Sequence, residues 1–393
     1  MKQCILIIAC IFNIITAHAL TVNEVLESVK QNNFALKASE QTKNSAISSI
    51  KSTNNLSNPE VGFEYHEGAN VDGNKYGISV TQKFEWPGLY KNRSDVNKAL
   101  INVENTKQLS EYLNVLLDAK QLCIQIINLN RKLKVQETVV ANITKLYSEY
   151  EKGFNHGEIS ILDINKLKIE LLNTKRAYDE LVSQRAGLFE KLTSLNGNKE
   201  IENLSSLYDY PTQSLESLDY YLAEVIKYDP SYLTLVANLD ASNKNLSSAK
   251  MGWLPDLALS YKYSNEMGSK FNGFAVGVSV PIFANRNKVS ASKSELIAAE
   301  LTQKDVLAEL ESAIKTDYSH IVTAKSQIHS YNNVLESGNN EKMLQKALEG
   351  GQISLLDYLL ELRYFLEAQQ TLLDLEFEYN TLMTDLNKYQ LLN

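Results

Sequence analysis

Gly157-Glu158-Ile159-Ser160-Ile161-Leu162-Asp163 recurs 194 positions later as Gly351-Gln352-Ile353-Ser354-Leu355-Leu356-Asp357. Two further pairs keep the same chain order. Gly77-Ile78-Ser79-Val80 returns as Gly277-Val278-Ser279-Val280, and Asn58-Pro59-Glu60 as Leu254-Pro255-Asp256. The offsets run from 194 to 200 residues. A period that long marks duplication of a half-chain, not a solenoid. The repeated heptapeptide is a glycine turn between two helical patterns, so each half closes in a helical hairpin.

Working outward from that turn, both halves give the same element order. An amphipathic helix is predicted over 21–55 and again over 215–251. A strand pair follows, within 60–84 and 256–283. A long helix is predicted over 90–151 and 286–349, then a helix after the turn over 159–195 and 354–388. The helices after the turns carry heptads. Ile164, Leu167, Leu171, Thr174, Tyr178, Leu181, Arg185, Leu188, Leu192 and Leu195 step by three and four, and Leu372, Leu375, Tyr379, Leu382, Leu386 and Tyr389 do the same. That is the stripe of a coiled-coil seam, and a short turn makes the pair an antiparallel hairpin. An ordinary long-helix bundle would show a similar stripe in one copy; the duplication favours a dedicated hairpin.

The strands alternate strictly. Val61, Phe63 and Tyr65 oppose Gly62, Glu64 and His66; Tyr76, Ile78, Val80 and Phe84 oppose Gly77, Ser79, Thr81 and Lys83. Leu257, Leu259, Tyr261 and Tyr263 oppose Ala258, Ser260, Lys262 and Ser264, and Phe274, Val276, Val278, Val280 and Ile282 oppose Ala275, Gly277, Ser279 and Pro281. Strands of about ten residues span a bilayer when tilted, with an apolar face to lipid and a small, polar face to a lumen. A soluble sheet with one buried face carries the same alternation. Four strands cannot close a barrel, because about eight is the minimum, and open edges are not tolerated in lipid. Either the sheet is soluble, or several chains contribute four strands each.

Composition narrows the rest. The chain has 393 residues, 44% hydrophobic and 22% charged, which excludes wholesale disorder. Only six prolines and 16 glycines interrupt it, as long helices require. The net charge of −8 offers no basic surface for nucleic acid. Residues 1–19 read as a cleaved signal peptide: Lys2, the apolar run Ile5 to Ile15, and Ala17-His18-Ala19. Ile7-Ile8-Ala9-Cys10 loosely matches a lipidation site, but further apolar residues follow Cys10. Cleavage after Ala19 leaves Cys123 as the sole thiol and excludes an intramolecular disulfide. The remaining organisation is a first repeat over 20–196, a linker over 197–214 and a second repeat over 215–393.

Leu20-Thr21-Val22-Asn23-Glu24-Val25-Leu26, with Asn32-Asn33 after it, resembles the opening helix of TolC-type outer-membrane efflux proteins. The duplicated order of strand pair and hairpin, and the Gly-x-Ile-Ser-x-x-Asp turn, are similar to theirs over about residues 20–390. Phe84-Glu85-Trp86-Pro87-Gly88 resembles the heavy-metal-efflux branch of CzcC and CusC type. The resemblance implies an α+β membrane channel: long antiparallel coiled-coil hairpins, and four β-strands per protomer in a trimeric, twelve-stranded β-barrel. It implies a homotrimer in outer-membrane lipid, with a long periplasmic tunnel. Such a channel docks on a periplasmic adaptor protein and, through it, on an inner-membrane pump, often of the resistance–nodulation–division type. It would conduct substrates passively to the exterior, with metal cations as the cargo of that branch. No cofactor is implied.

No catalytic constellation stands out. His320 and His329 lie nine residues apart, on opposite sides of one helix, and no HExxH, GxSxG, phosphate loop or dinucleotide fingerprint occurs. Cys123, among Leu122, Ile124 and Ile127, reads as core filler. Asp163 and Asp357 occupy matching places past the turns. By resemblance these would line the periplasmic pore aperture, where symmetry copies of one carboxylate would attract cations. The alternative role is stabilising the helix N-terminus. At the places matching the arginine and tyrosine of the family's gate stand Ile353 and Leu348. The turns, with Gly157, Glu158, Gly351 and Gln352, are the expected adaptor-docking points. Two rival readings are a periplasmic adaptor or coiled-coil interaction protein without a pore, and an exported enzyme on a helical stalk. The first would not duplicate the strand pair, and the second lacks a nucleophile, base or metal cluster.

Overall fold

The computed structural model describes residues 19–68, 73–283, 285–336 and 340–392. The leader expected at 1–19, with Cys10, lies outside these residues except for Ala19. Proline placement explains much of the element order. Pro59 and Pro255 precede strands β1 (Glu60–Glu67) and β3 (Asp256–Glu266), where no ladder N–H is needed. Pro87 opens α3 (Pro87–Asn155) and Pro230 opens α6 (Pro230–Met251), where the missing N–H has no helical partner anyway. Pro281 follows β4 (Ser269–Ser279). The 69 residues of α3 contain no proline after the first.

Each opening helix breaks in two, against the single helices expected at 21–55 and 215–251. The first is α1 (Val22–Asn32) and α2 (Phe34–Ser52); the second is α5 (Leu218–Tyr228) followed by α6. The breaks fall at Asn33 and Asp229, equivalent positions of the two repeats. Asn33 leaves helical geometry at φ −57°, ψ 126°, and its Nδ2 donates to the Leu195 carbonyl at 2.7 Å. Asp229 ends α5 through its own N–H to Val225 and starts α6 by accepting from the Tyr232 N–H at 2.9 Å. The long helix expected at 286–349 is described as α7 (Lys288–Glu336) and α8 (Asn340–Glu349). The hairpins are completed by α4 (Ile161–Leu195) and α9 (Leu355–Leu386), the latter running into a 3₁₀ turn at Lys388–Leu392.

The chain forms two compact units, each drawing on both repeats. Among the described residues, one comprises 19–34, 114–216 and 316–392, the other 35–113 and 217–315. In the first unit the heptad stripe of α4 is inward throughout: Ile164, Leu167, Thr174 and Leu192 are buried and the remaining stripe positions half-buried. Gln136 Nε2 on α3 donates to the Thr174 carbonyl at 3.0 Å, fixing the antiparallel register. The buried face of α9 is broader than its predicted stripe and adds Leu373, Asn380, Met383 and Thr384. Val139 and Ile143 of α3 pack with Tyr358 and Leu362 of α9, which joins the two hairpins in one core. The connection after α4 is tied back to α1. Ser28 Oγ donates to Asn196 Oδ1 at 2.9 Å, and Leu20 bridges Leu204. Gly197 sits at φ +65°, and a Cβ there would lie 2.4 Å from the Asn32 carbonyl oxygen.

In the second unit the strands form one antiparallel sheet, β1-β2-β3-β4, with β2 (Asn74–Phe84) from the first repeat pairing directly with β3 from the second. Beside it, Ala99 and Val103 of α3 bury against Ala237 and Ala241 of α6. Small side chains at that contact let two helix backbones approach closely.

Candidate pore wall and hairpin tips

The register places the predicted apolar residues from Val61 to Val278 on one face; Val280 and Ile282, expected to continue the fourth strand, lie beyond its end at Ser279, where the Ile282 N–H turns back to the Val280 carbonyl at 2.9 Å. Val61 pairs with Val80, Val80 with Tyr261 and Tyr261 with Phe274; Phe63 pairs with Ile78 and Ile78 with Tyr263. Directly paired residues of antiparallel strands share a face. That face is open: Phe274 is 79% exposed, Val276 74%, Val61 74% and Phe63 70%. Monomeric soluble domains rarely leave a contiguous apolar face to water. Aromatic side chains mark both ends of the band. Tyr65, Tyr76 and Tyr263 stand near one end, with Tyr76 Oη accepting from Asn265 Nδ2 at 3.0 Å. Exposed Trp86, Trp253 and Phe283 stand at the other. The Met267-Gly268 turn joins β3 to β4 in two residues, both with positive φ, as the strand twist requires.

The opposite face carries small and polar residues. Thr81 and Ser260 share a hydroxyl hydrogen bond at 2.8 Å. Lys75 pairs with Glu266 and Lys83 with Glu60. Phe271, on this same face, was not foreseen from the sequence; it sits opposite Ser264.

The two tips share one geometry. After α3, the Gly157 N–H donates to Phe154 O at 2.9 Å and the Glu158 N–H to Gly153 O at 2.9 Å. After α8, the Gly351 N–H donates to Leu348 O at 3.0 Å and the Gln352 N–H to Ala347 O at 2.8 Å. This is the Schellman pattern, and its left-handed residue is Gly157 (φ +78°) or Gly351 (φ +66°). The next helix starts at once, on Ser160 or Ser354 as N-cap. The two aspartates then differ. Asp357 closes a capping box: its Oδ2 accepts from Ser354 Oγ at 2.6 Å and from the Ser354 N–H at 3.2 Å. Those bonds hold its carboxyl below the usual carboxylate range. Asp163 instead pairs with Lys166 at 3.1 Å.

Away from these regions, Cys123 is fully buried and desolvation pushes its thiol up to about 12, so it fills the core. Lys120 beside it is also buried, with Nζ 3.0 Å from Tyr210 Oη and 3.2 Å from Asp209 Oδ2. No sequence signal marked that lysine. Among the described residues, no group of three His, Cys, Asp or Glu side chains is placed to hold a metal ion. None of the described helices is long and apolar enough to cross a membrane.

Hairpins with repeated glycine tips, and one four-stranded sheet whose apolar face is exposed, define the TolC-type α+β channel fold. Solved structures share it along nearly the whole chain. VceC, an outer membrane protein of Vibrio cholerae, superposes with a TM-score of 0.76 at 12% identity, covering 94% of this chain and 95% of that one. The Campylobacter jejuni outer membrane channel CmeC gives 0.72 at 17%, covering 94% and 85%. CusC gives 0.69 at 18%, covering 93% and 91%. No protein-family model and no curated protein matches the sequence.

Proposed function

We propose that the chain is the outer-membrane channel of a tripartite efflux system and performs no chemistry of its own. The observation that carries this reading is the sheet: four strands, an exposed face that is apolar through its middle with Gln82 as its one polar interruption there and polar residues (Asn265, Lys270, Asn272) only toward the β3–β4 turn, and β1 and β4 unpaired on their outer edges among the described residues. Because four is even, β4 of one copy is antiparallel to β1 of the next. Three copies therefore close a twelve-stranded barrel without a parallel seam and without an edge in lipid. The helical hairpins then build the periplasmic tunnel, and substrates pass without energy input from the channel. Detergent-extracted protein is expected at the mass of three protomers, in the outer-membrane fraction. A water-soluble monomer would sink the reading.

The tips are the proposed contact for the periplasmic adaptor, through Gly157, Glu158, Gly351 and Gln352, and the adaptor in turn links an inner-membrane pump. Rigid helices ending in short, duplicated turns present repeated surfaces of fixed geometry. Tryptophan at both Glu158 and Gln352 is expected to abolish efflux while the trimer persists; normal efflux would refute docking there. Asp357, and secondarily Asp163, would stand at the tunnel aperture in that assembly. Weaker cation selectivity in Asp357→Asn would support an acidic ring, and unchanged selectivity would leave only its cap. Metal cations as cargo rest on the resemblance at Phe84–Gly88. In the fold that segment is a corner: Pro87 starts α3, and Glu85 is ion-paired with Arg93. The corner accounts for the segment without reference to cargo.

A further inference from the structure

Among the described residues, one cation on the polar face of the sheet enters no ion pair. Gly62, Ser79, Lys262 and Gly273 form a single cross-strand row, in which Lys262 is the only long side chain. The other two lysines of this face pair with Glu266 and Glu60, whereas Lys262 is exposed and enters no ion pair with any described residue. Glu64, a carboxylate already 3.8 Å from His66 Nε2, is one row away and two strands over, about 10 Å. Beside Lys262 the face is concave. A notch of about 200 Å³ is lined by Lys262, Ser264, Phe271, Gly273 and Ala275 among others. Gly273 faces open space there, with nothing within 4 Å of where a Cβ would stand. Phe271 is 55% exposed on a face otherwise made of small and polar residues. An ammonium group, a hydroxyl, an aromatic ring and a hollow thus converge on one spot.

We propose that Lys262, Phe271 and the Gly273 notch form a transient binding station in the barrel lumen for amphipathic organic anions: an aromatic or apolar body with a carboxylate or sulfonate. The ammonium takes the anionic head, Ser264 donates a hydrogen bond to it, and the body lies on Phe271 over the glycine. In the trimer three such stations sit at one height of the lumen. This deepens the channel reading and rests on it. It makes the exit duct a stopping point for organic anions.

The test uses purified full-length trimer in a planar bilayer, with 2-naphthalenesulfonate as probe. Wild-type channels are expected to show brief current interruptions that scale with probe concentration. The neutral 2-naphthalenemethanol and the ring-free methanesulfonate should each be at least tenfold weaker blockers. Lys262→Met should lose the block, Lys262→Arg should keep it, and Phe271→Ala should weaken it for the arene alone. Open channels that ignore naphthalenesulfonate, or Lys262→Met channels blocked as well as wild type, would overturn the station and leave the channel standing. Protein that forms no conducting trimer would remove both.

Discussion

Glycines with positive φ are not equivalent in this chain. Gly351 stands at φ +66° with nothing near a would-be Cβ, so only backbone conformation opposes a side chain there. Gly351→Ala is expected to cost about 1–2 kcal/mol, the penalty of a left-handed alanine. Gly197 has nearly the same φ, but its Cβ would meet the Asn32 carbonyl oxygen at 2.4 Å. Backbone cannot yield as a flexible side chain does, so Gly197→Ala should exceed about 3 kcal/mol and loosen the junction between α4 and α1. Thermal melts of the two variants check the order; equal losses would show that the junction relaxes freely. At the other tip residue, Ser354→Ala removes a cap worth about 1 kcal/mol. Asp357, whose carboxyl is held low by Ser354, contributes stability above the unfolded carboxylate range and loses it as pH falls through its lowered value.

Between elements of the first unit, charge is spent on joining α3 to α9. Arg131 pairs with Glu376 at 2.5 Å and lies 5.1 Å from the Tyr208 ring centre; Lys132 pairs with Asp374. Further along α9, Asp385 accepts from Gln121 Nε2 at 2.9 Å. Burial raises its pKa, more than Gln121 lowers it, and Asp317 adds repulsion. A carboxyl raised in the folded state binds its proton more tightly there than when unfolded, so its ionised form lowers stability above that raised value. Asp385→Asn keeps the Gln121 bond and removes the charge. It is expected to raise the melting temperature at pH 7–8, with the gain shrinking toward pH 4; a gain independent of pH would point to another cause. Most of this level was legible in the sequence. Stripe positions from Ile164 to Leu195 face inward as read, because a seam of period 3.5 has few ways to be buried. The breaks at Asn33 and Asp229 were not foreseen, although Pro230 signals the second. Ties such as Lys120 to Asp209 join residues far apart in sequence, and no local pattern encodes them. The alternation that made the strands readable also hid Phe271, which departs from it.

At the scale of the molecule, the two sheet faces should answer oppositely to the same substitution. Phe274 is in the middle of the apolar band, and Phe274→Lys there is expected to cost about 2–4 kcal/mol of membrane stability. Lysine at Ser260, on the polar face beside Thr81, should assemble normally. Heat-modifiable gel shifts of outer-membrane fractions read the difference; equal tolerance of both would mean that the apolar face never meets lipid.

The divergence between the two hairpin tips has a consequence for symmetry. A ring of three such chains is a ring of six half-chains, and six identical tips would offer a partner one kind of foothold repeated at sixty-degree intervals. In the proposed trimer the tips would alternate. One presents Glu158 and an aspartate neutralised by Lys166; the next presents Gln352 and an aspartate turned back on its own helix. In the proposed trimer, fusing the halves into one polypeptide would lock that alternation into the ring. Its six-fold collar would then meet a partner with three footholds of one character and three of another, each set free to change without the other.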